Sequence, residues 1–358
     1  MGFRNRLSVA ALMGAALLTG TGVSAKDRLV VTQWGGVWGE SLENFVIGPF
    51  EKKYDVQVDV LRAASAGELL PKIRAEKDRP TIDVYFAGIQ GARALAKEGL
   101  AVELDEKDVP AIKGLSPTLI RPIGGKVYFA GINTRANGLM VRKDLVKLPE
   151  KVTMQWVADP SLKGMVSIPN MAFGHGLIVL AGALAGGGAS NQDIEPGFTF
   201  LKKIAPNVKA LYQSSGEAGR LITTGEAAVA YVSSGAVAAP KKAGIDVDFY
   251  APADMPLMLD ADAVMVVKNG PAGRDLALKF VNFFLEPDRI NPYSFGVGSS
   301  SPLKDGPPPP KDKVPVPITN EQMGTAFFAD DATSAWIDAN FDTWNERFTR
   351  EIQPALGR

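Results

Sequence analysis

Leu29-Val30-Val31-Thr32, Val56-Gln57-Val58-Asp59-Val60 and Ile82-Asp83-Val84-Tyr85-Phe86 are three short β-rich runs, and a segment with helical spacing follows each of them. After the first, Leu42, Phe45 and Val46 share one helix face, and Gly48-Pro49 is expected to break that helix before Phe50. After the second, Ser65-Ala66-Gly67-Glu68 reads as a capping box that opens a helix with Leu69, Leu70 and Ile73 turned inward. After the third, residues 93–98 read as a helix closed by Gly99. Strands that alternate with helices imply parallel βαβ units, and therefore an α/β architecture with a central sheet flanked by helices.

The pattern resumes further along. Residues 165–168, 228–232 and 264–267 read as strands, and residues 177–184, 198–204 and 275–285 as helices, the last ended before Pro287. Residues 307–310 are all proline, and with Pro315 and Pro317 they predict a stiff surface loop. Thr319-Asn320-Glu321-Gln322 can cap another helix. The last helix carries Ile337, Phe341, Trp344, Phe348 and Ile352 on one stripe. Such a stripe can meet a membrane or a partner, but it reads here as core. A chain of 358 residues suits about two domains. The two α/β stretches are similar in size, with no long flexible linker between them. The expected fold is two lobes facing each other across a cleft.

Composition excludes several chemistries. With no cysteine there is no disulfide framework, cysteine nucleophile or iron–sulfur site. One histidine, His175, excludes paired-histidine metal sites and leaves a Ser–His system only that residue to use. Lys+Arg and Asp+Glu are both 39, so no charge excess is available to hold nucleic acid. Residues 1–25 read as a secretory signal: Arg4 and Arg6, an apolar run over residues 7–18, then Val23-Ser24-Ala25 as a cleavage site. Its removal leaves 37 basic against 39 acidic residues, a charge of −2. No later run reaches about 18 uncharged apolar residues, so the expected product is an exported, periplasmic protein that is not membrane-embedded.

Candidate binding groups cluster in polar, glycine-rich loops just after strands: Trp34-Gly35-Gly36, Ala87-Gly88-Ile89-Gln90, Phe173-Gly174-His175-Gly176 and Ser233-Ser234-Gly235. Ligands of open α/β sheets lie outside the carboxyl ends of the strands. Trp34 and Trp38 can face a cation there or simply cover the first helix. Asp262, in an apolar setting, needs a partner, either a solute amine or a neighbouring lysine. Arg135, in Asn133-Thr134-Arg135, can clamp an anion or join a surface ion pair. The sequence has no G-x-S-x-G, no G-x-x-x-x-G-K-[ST] and no dinucleotide fingerprint. Asp260/Asp262 and Asp330-Asp331 are acidic pairs that leave open a secreted hydrolase.

Several segments together resemble the periplasmic solute-binding proteins of spermidine/putrescine-type ABC importers. They are Gln33-Trp34-Gly35-Gly36, the stretch from Phe50 to Val58, Asp83-Val84-Tyr85 with Lys97-Glu98-Gly99-Leu100, Trp156 with Pro160-Ser161-Leu162-Lys163-Gly164, Gly225-Glu226-Ala227, and Phe280-Val281-Asn282-Phe283-Phe284-Leu285-Glu286-Pro287. The resemblance implies the type II two-lobe fold, with residues 26–131 and 259–302 in one lobe and residues 132–258 in the other. Residues 303–358 would then pack across both. It implies a monomeric, non-enzymatic receptor without cofactor or metal, which hands a small organic solute to permease subunits or presents it to a chemoreceptor. Trp34 and Asp262 match the polyamine-binding tryptophan and aspartate. Gly36, Asn170 and Ser233 stand where such binders carry acids or a tryptophan. One remaining acid suits one amine, so the expected solute is a small mono-amine or zwitterion, amino-acid-like, with a polyamine as the fallback. The other expected solute contacts are Gly88, Gln90, Phe173, Gly174, His175, Ser214, Ser215 and Tyr231. Relatives that bind ferric iron use adjacent tyrosines, and here Tyr212, Tyr231 and Tyr293 are isolated.

Overall fold

A computed structural model describes residues 27–63, 68–174, 176–314, 316–327 and 330–357. The secretory segment, Ser65 of the capping box and His175 lie outside the described residues. In chain order the described strands are β1 (Arg28–Trp34), β2 (Gln57–Ala63), β3 (Val84–Gly88), β4 (Ala130–Gly131), β5 (Arg135–Arg142), β6 (Val166–Pro169), β7 (Val208–Tyr212), β8 (Val229–Ser233), β9 (Val247–Tyr250), β10 (Met258–Asp260) and β11 (Asp262–Val266).

The three β-rich runs of the N-terminal stretch become neighbours in one sheet, ordered β2-β1-β3-β11-β4. Strand β1 runs parallel to β2 and β3, while β11 is antiparallel to β3 and β4. The second sheet is ordered β10-β5-β8-β6-β7, with β9 also on β5. Here β6 is parallel to β7 and β8, and β5 is antiparallel to β8, β9 and β10. Helices cover both sheets and the molecule is a two-lobe α/β protein. The chain passes between the sheets twice, from β4 to β5 through residues 132–134 and from β10 to β11 through Ala261.

Each lobe has its own core. In the first, Phe50 packs edge-on against Phe280 and Phe283 beneath Leu29 and Val31. In the second, Ile178, Phe198 and Leu201 pack with Val166 and Val229. Ile337, Trp344, Phe348 and Ile352 of the C-terminal stripe are buried in this second core, and Phe341 packs partly buried against it, so the stripe is core. Ile318 and Met323, earlier in the same segment, pack instead with Ile82, Ala87 and Ala92 of the first lobe. Thr319 and Gln322 form the capping box reciprocally, Gln322 N–H donating to Thr319 Oγ1 at 3.1 Å and Thr319 N–H to Gln322 Oε1 at 2.9 Å.

The structure corrects two expectations. The first helix does not break at Gly48-Pro49. It runs on from Val37–Leu42 through a π-helical turn, Glu43–Ile47, into Gly48–Tyr54. The wider turn makes room for a ring that would otherwise strike the carbonyl four residues back. The helix expected over residues 275–285 does end before Pro287, as Arg274–Leu285; Glu286 is extended, and Pro287 opens a further helix, Pro287–Gly296, because proline suits the first helical position. The third strand is followed by a longer helix than expected, Ile89–Lys97, which begins directly at Gly88.

Candidate functional site

The crossovers bring charged residues of both lobes together. Asp262 opens β11 and Arg135 opens β5, so each sits at the point where the chain enters its sheet. Arg135 meets Asp262 through both guanidinium arms, Nη1 donating to Oδ2 at 2.7 Å and Nη2 to Oδ1 at 3.0 Å. Nη2 also donates to Asp260 Oδ2 at 3.0 Å and Nε to Ser233 Oγ at 3.0 Å. Asn133 closes the other side, with Nδ2 donating to Asp262 Oδ2 at 2.8 Å and Oδ1 accepting from Asp262 N–H at 2.9 Å. Trp38 Nε1 adds a long bond to Asp262 Oδ2 at 3.4 Å.

Burial works to lower the Arg135 pKa, and the Asp262 and Asp260 carboxylates more than offset it, so the guanidinium stays above its ordinary value. Burial likewise works to raise the Asp262 pKa. The Arg135 charge, with hydrogen bonds from Arg135, Asn133 and Trp38, overcomes it and holds the carboxyl below its ordinary value. Two carboxylates face one guanidinium, which leaves one negative charge. It lies toward Asp260, whose side chain is 40% exposed while that of Asp262 is 9% exposed.

A cavity of about 810 Å³ lies between the lobes beside this cluster. Gly88, Ile89 and Gln90 line it from the first lobe, and Asn137, Phe173 and Ser215 from the second. Asp260 and Ala261 form its hinge side. The fourth side comes from the C-terminal helix Asp331–Arg347 through Ile337, Asp338 and Phe341. Asp338 also reaches buried Arg93 of the helix Ile89–Lys97 at 3.5 Å. The first turns of Ile89–Lys97 and Ser215–Thr224 open on the cavity and bring the positive ends of two helices to it. Two buried side-chain atoms of lining residues, Gln90 Oε1 and Asn137 Nδ2, have no hydrogen-bond partner among the described residues. A buried polar group left unpaired costs about 1–3 kcal/mol, so these two mark where something else completes the site.

The cavity gathers Gly88, Gln90, Phe173, Ser215 and Ser233 from the residues singled out in the sequence. Others do different work. Asp262 and Arg135 are committed to each other in a buried pair, where the sequence left Asp262 a solute amine or a lysine and Arg135 an anion or a surface ion pair. Tyr231 is not a cavity residue: it is buried, its OH lying 3.3 Å from Met258 Sδ and its carbonyl accepting from Tyr212. Asn170 Oδ1 accepts from Phe173 N–H at 2.7 Å, and Ser214 Oγ caps its helix by accepting from Glu217 N–H at 3.1 Å. Trp34 and Trp38 pack edge to face with ring centroids 6.4 Å apart, away from the cavity lining. Gly35 and Gly36 are exposed beside them, and Gly36 has φ +62°, which lets the helix start directly after β1. Gly174 ends the short helix Met171–Gly174. Asp330 caps the last helix, accepting from Thr333 N–H at 2.6 Å.

Sequence reasoning missed Asn137, and its signal was the alternation of Arg135 and Asn137 with Ala136 and Gly138 that marks a strand. It also missed the cavity wall on the C-terminal helix. Among the described residues no three His, Asp or Glu side chains group to hold a metal, and no helix is long and apolar enough to cross a membrane.

Residues 46–314 match the family described as bacterial extracellular solute-binding protein. An uncharacterized protein of Haemophilus influenzae is 29% identical over 238 residues, and the match spans 63% of this chain and 64% of that relative's length. Among solved structures, the periplasmic binding protein AfuA of Actinobacillus pleuropneumoniae, with exogenous fructose-6-phosphate bound, aligns with a TM-score of 0.70. It is 19% identical, and the alignment covers 92% of this chain and 99% of AfuA. The spermidine/putrescine substrate-binding protein PotD of Streptococcus pneumoniae aligns at 0.68, 18% identical, over 89% of this chain and 100% of PotD. AgtB of Agrobacterium tumefaciens, in complex with agropinic acid, aligns at 0.64, 19% identical, over 91% of this chain and 98% of AgtB.

Proposed function

The chain belongs to the bacterial extracellular solute-binding protein family, and from that membership we propose that it is the periplasmic receptor of an ABC importer. It captures a small organic solute carrying one amine by closing its two lobes, and hands it unchanged to the membrane permease. The carrying observation is the cavity of about 810 Å³ between two lobes whose sheets are linked by two short crossovers, with the Asp260 carboxylate presented on its hinge side. Two such lobes can hinge about their crossovers and enclose what lies between them.

The charge balance selects the solute. A cation brought into a desolvated cleft needs a carboxylate partner. On the hinge side the one residual charge of the Arg135 cluster satisfies one ammonium, whereas a polyamine would bring two or three and would have to reach Asp338 and Asp342 on the C-terminal helix as well. The fold alone does not decide: the same architecture holds fructose-6-phosphate in AfuA and agropinic acid in AgtB. Its residues favour an amino-acid-like or otherwise zwitterionic compound.

The test is a thermal-shift titration of the purified mature protein with amino acids, polyamines and sugar phosphates. At about 100 times its dissociation constant, a true solute adds about 2.7 kcal/mol of stability. Chromatography should then recover it unaltered. Turnover would instead indicate a secreted hydrolase working through the same carboxylates, and tight binding of spermidine with no response to amino acids would reverse the preference for a mono-amine.

A further inference from the structure

We propose that the solute is an amphipathic amino acid, with its ammonium on Asp260, a carboxylate oxygen on Asn137 Nδ2 and an aromatic or branched aliphatic body against Phe173, Ile337 and Phe341. The inference rests on the receptor reading above and narrows its substrate class.

Strand register sets the head-group geometry. Asp260 pairs with Arg135 and Met258 with Asn137 across β10 and β5, so Asp260 and Asn137 face the same side as diagonal neighbours. Such positions lie roughly 7–8 Å apart, within the span of one small head group. Asn137 is 1% exposed, lines the cavity and has an amide N–H with no partner among the described residues. A donor so placed calls for an acceptor oxygen. The helix first turns at Gly88–Gly91 and at Ser215 make an anionic acceptor better than a neutral one.

The rest of the cavity sets the body. A volume of about 810 Å³ is far larger than an ammonium and a carboxylate require, and it falls in the range that holds ligands of roughly drug size. Phe173, Leu177 and Leu180 supply one apolar wall, and Ile337 and Phe341 supply the apolar part of another that also carries Asp338 and Asp342. The second wall belongs to the C-terminal helix, which gives that helix a part in specificity as well as in the core.

Isothermal titration with L-phenylalanine, γ-aminobutyrate and phenethylamine separates the three contacts, with spermidine and fructose-6-phosphate as further arms. L-Phenylalanine should bind at least about tenfold more tightly than γ-aminobutyrate, which lacks the body, and than phenethylamine, which lacks the oxygen. The Asn137→Leu variant should lose at least about tenfold in affinity for L-phenylalanine while the melting temperature of the free protein holds or rises, since an apolar group replaces an unpaired amide. Equal binding of γ-aminobutyrate or phenethylamine overturns the proposal, as does undiminished binding by Asn137→Leu. Binding of spermidine or fructose-6-phosphate with none of L-phenylalanine overturns it and leaves the receptor reading standing. No response to any of the five compounds likewise overturns the proposal, while the receptor reading, which rests on the family match, stands.

Discussion

The crossover cluster and the cavity wall lie next to each other on the same strands and are built in opposite ways. At the crossover, the Arg135 guanidinium is spent on Asp262, Asp260 and Ser233, and Asp262 is spent on Arg135, Asn133 and Trp38. Two residues further along the same face of β5, the Asn137 amide N–H has no partner among the described residues. Lobe closure is a rotation about the crossovers. Groups on that axis barely move and can keep fixed partners in both states. Groups farther out travel with their lobe, so a contact across the gap, such as Arg93 with Asp338 at 3.5 Å, belongs to one state only. At this junction the fully paired Arg135–Asp262 charges mark the pivot, and the unpaired amide atoms of Asn137 and Gln90 mark the cavity beside it.

The largest effect expected from this contrast is at the pivot. Asp262→Ala strands a buried guanidinium and should cost about 3–5 kcal/mol of stability, measured by urea unfolding. A loss below about 1 kcal/mol together with abolished solute binding would make Asp262 a solute contact and erase the distinction. Acid tests the same pair. The folded pKa of Asp262 is depressed, so its contribution is complete above the unfolded value of about 3.9 and is lost as pH falls below it toward the folded value. Urea midpoints taken downward from about pH 4 should therefore fall less steeply in Asp262→Asn than in the parent chain.

Asp260→Asn should show the inverse pattern at an intermediate scale. The carboxylate is 40% exposed and shares Arg135 with Asp262, so the change should cost under about 1 kcal/mol in folding. It removes the residual negative charge, and affinity for an amine-bearing solute should fall about 10- to 100-fold, equivalent to about 1.4–2.7 kcal/mol. Calorimetry on the variant checks the second figure and unfolding the first. A folding loss equal to that of Asp262→Ala would assign Asp260 to the pivot as well.

The fold was legible because its signals are local. Alternating valines at 56, 58 and 60, the box at Thr319–Gln322 and the stripe from Ile337 to Ile352 each fix one element by its own spacing. Part of the cavity lining was legible for the same reason: Gly88, Gln90, Phe173, Ser215 and Ser233 lie at or just past strand ends, and loops after strands face the cleft. The remainder depends on pairings far apart in sequence. Nothing near Asp262 announces that Arg135, 127 positions earlier, takes both of its oxygens. Nothing near Phe341 tells that one edge of a core stripe also faces the cavity. The π-helical turn before Pro49 was hidden because proline within a helical pattern ordinarily ends it.

The smallest effect expected falls on Trp38, and it locates the border between the two regions. Trp38 Nε1 reaches Asp262 Oδ2 at 3.4 Å, a long bond to an atom already holding Arg135 Nη1 at 2.7 Å and Asn133 Nδ2 at 2.8 Å. Its ring meets Trp34 edge to face. Trp38→Phe keeps most of that apolar contact and deletes only the N–H. The expected cost is about 0.5–1 kcal/mol in urea unfolding, with solute affinity within about twofold of the parent. If affinity instead drops tenfold, the solute extends past Asp260 to the tryptophans, and the pivot is part of the site. If stability drops by several kcal/mol, the indole is holding Asp262 in place for Arg135, and a bond of 3.4 Å carries more of the pivot than its length suggests.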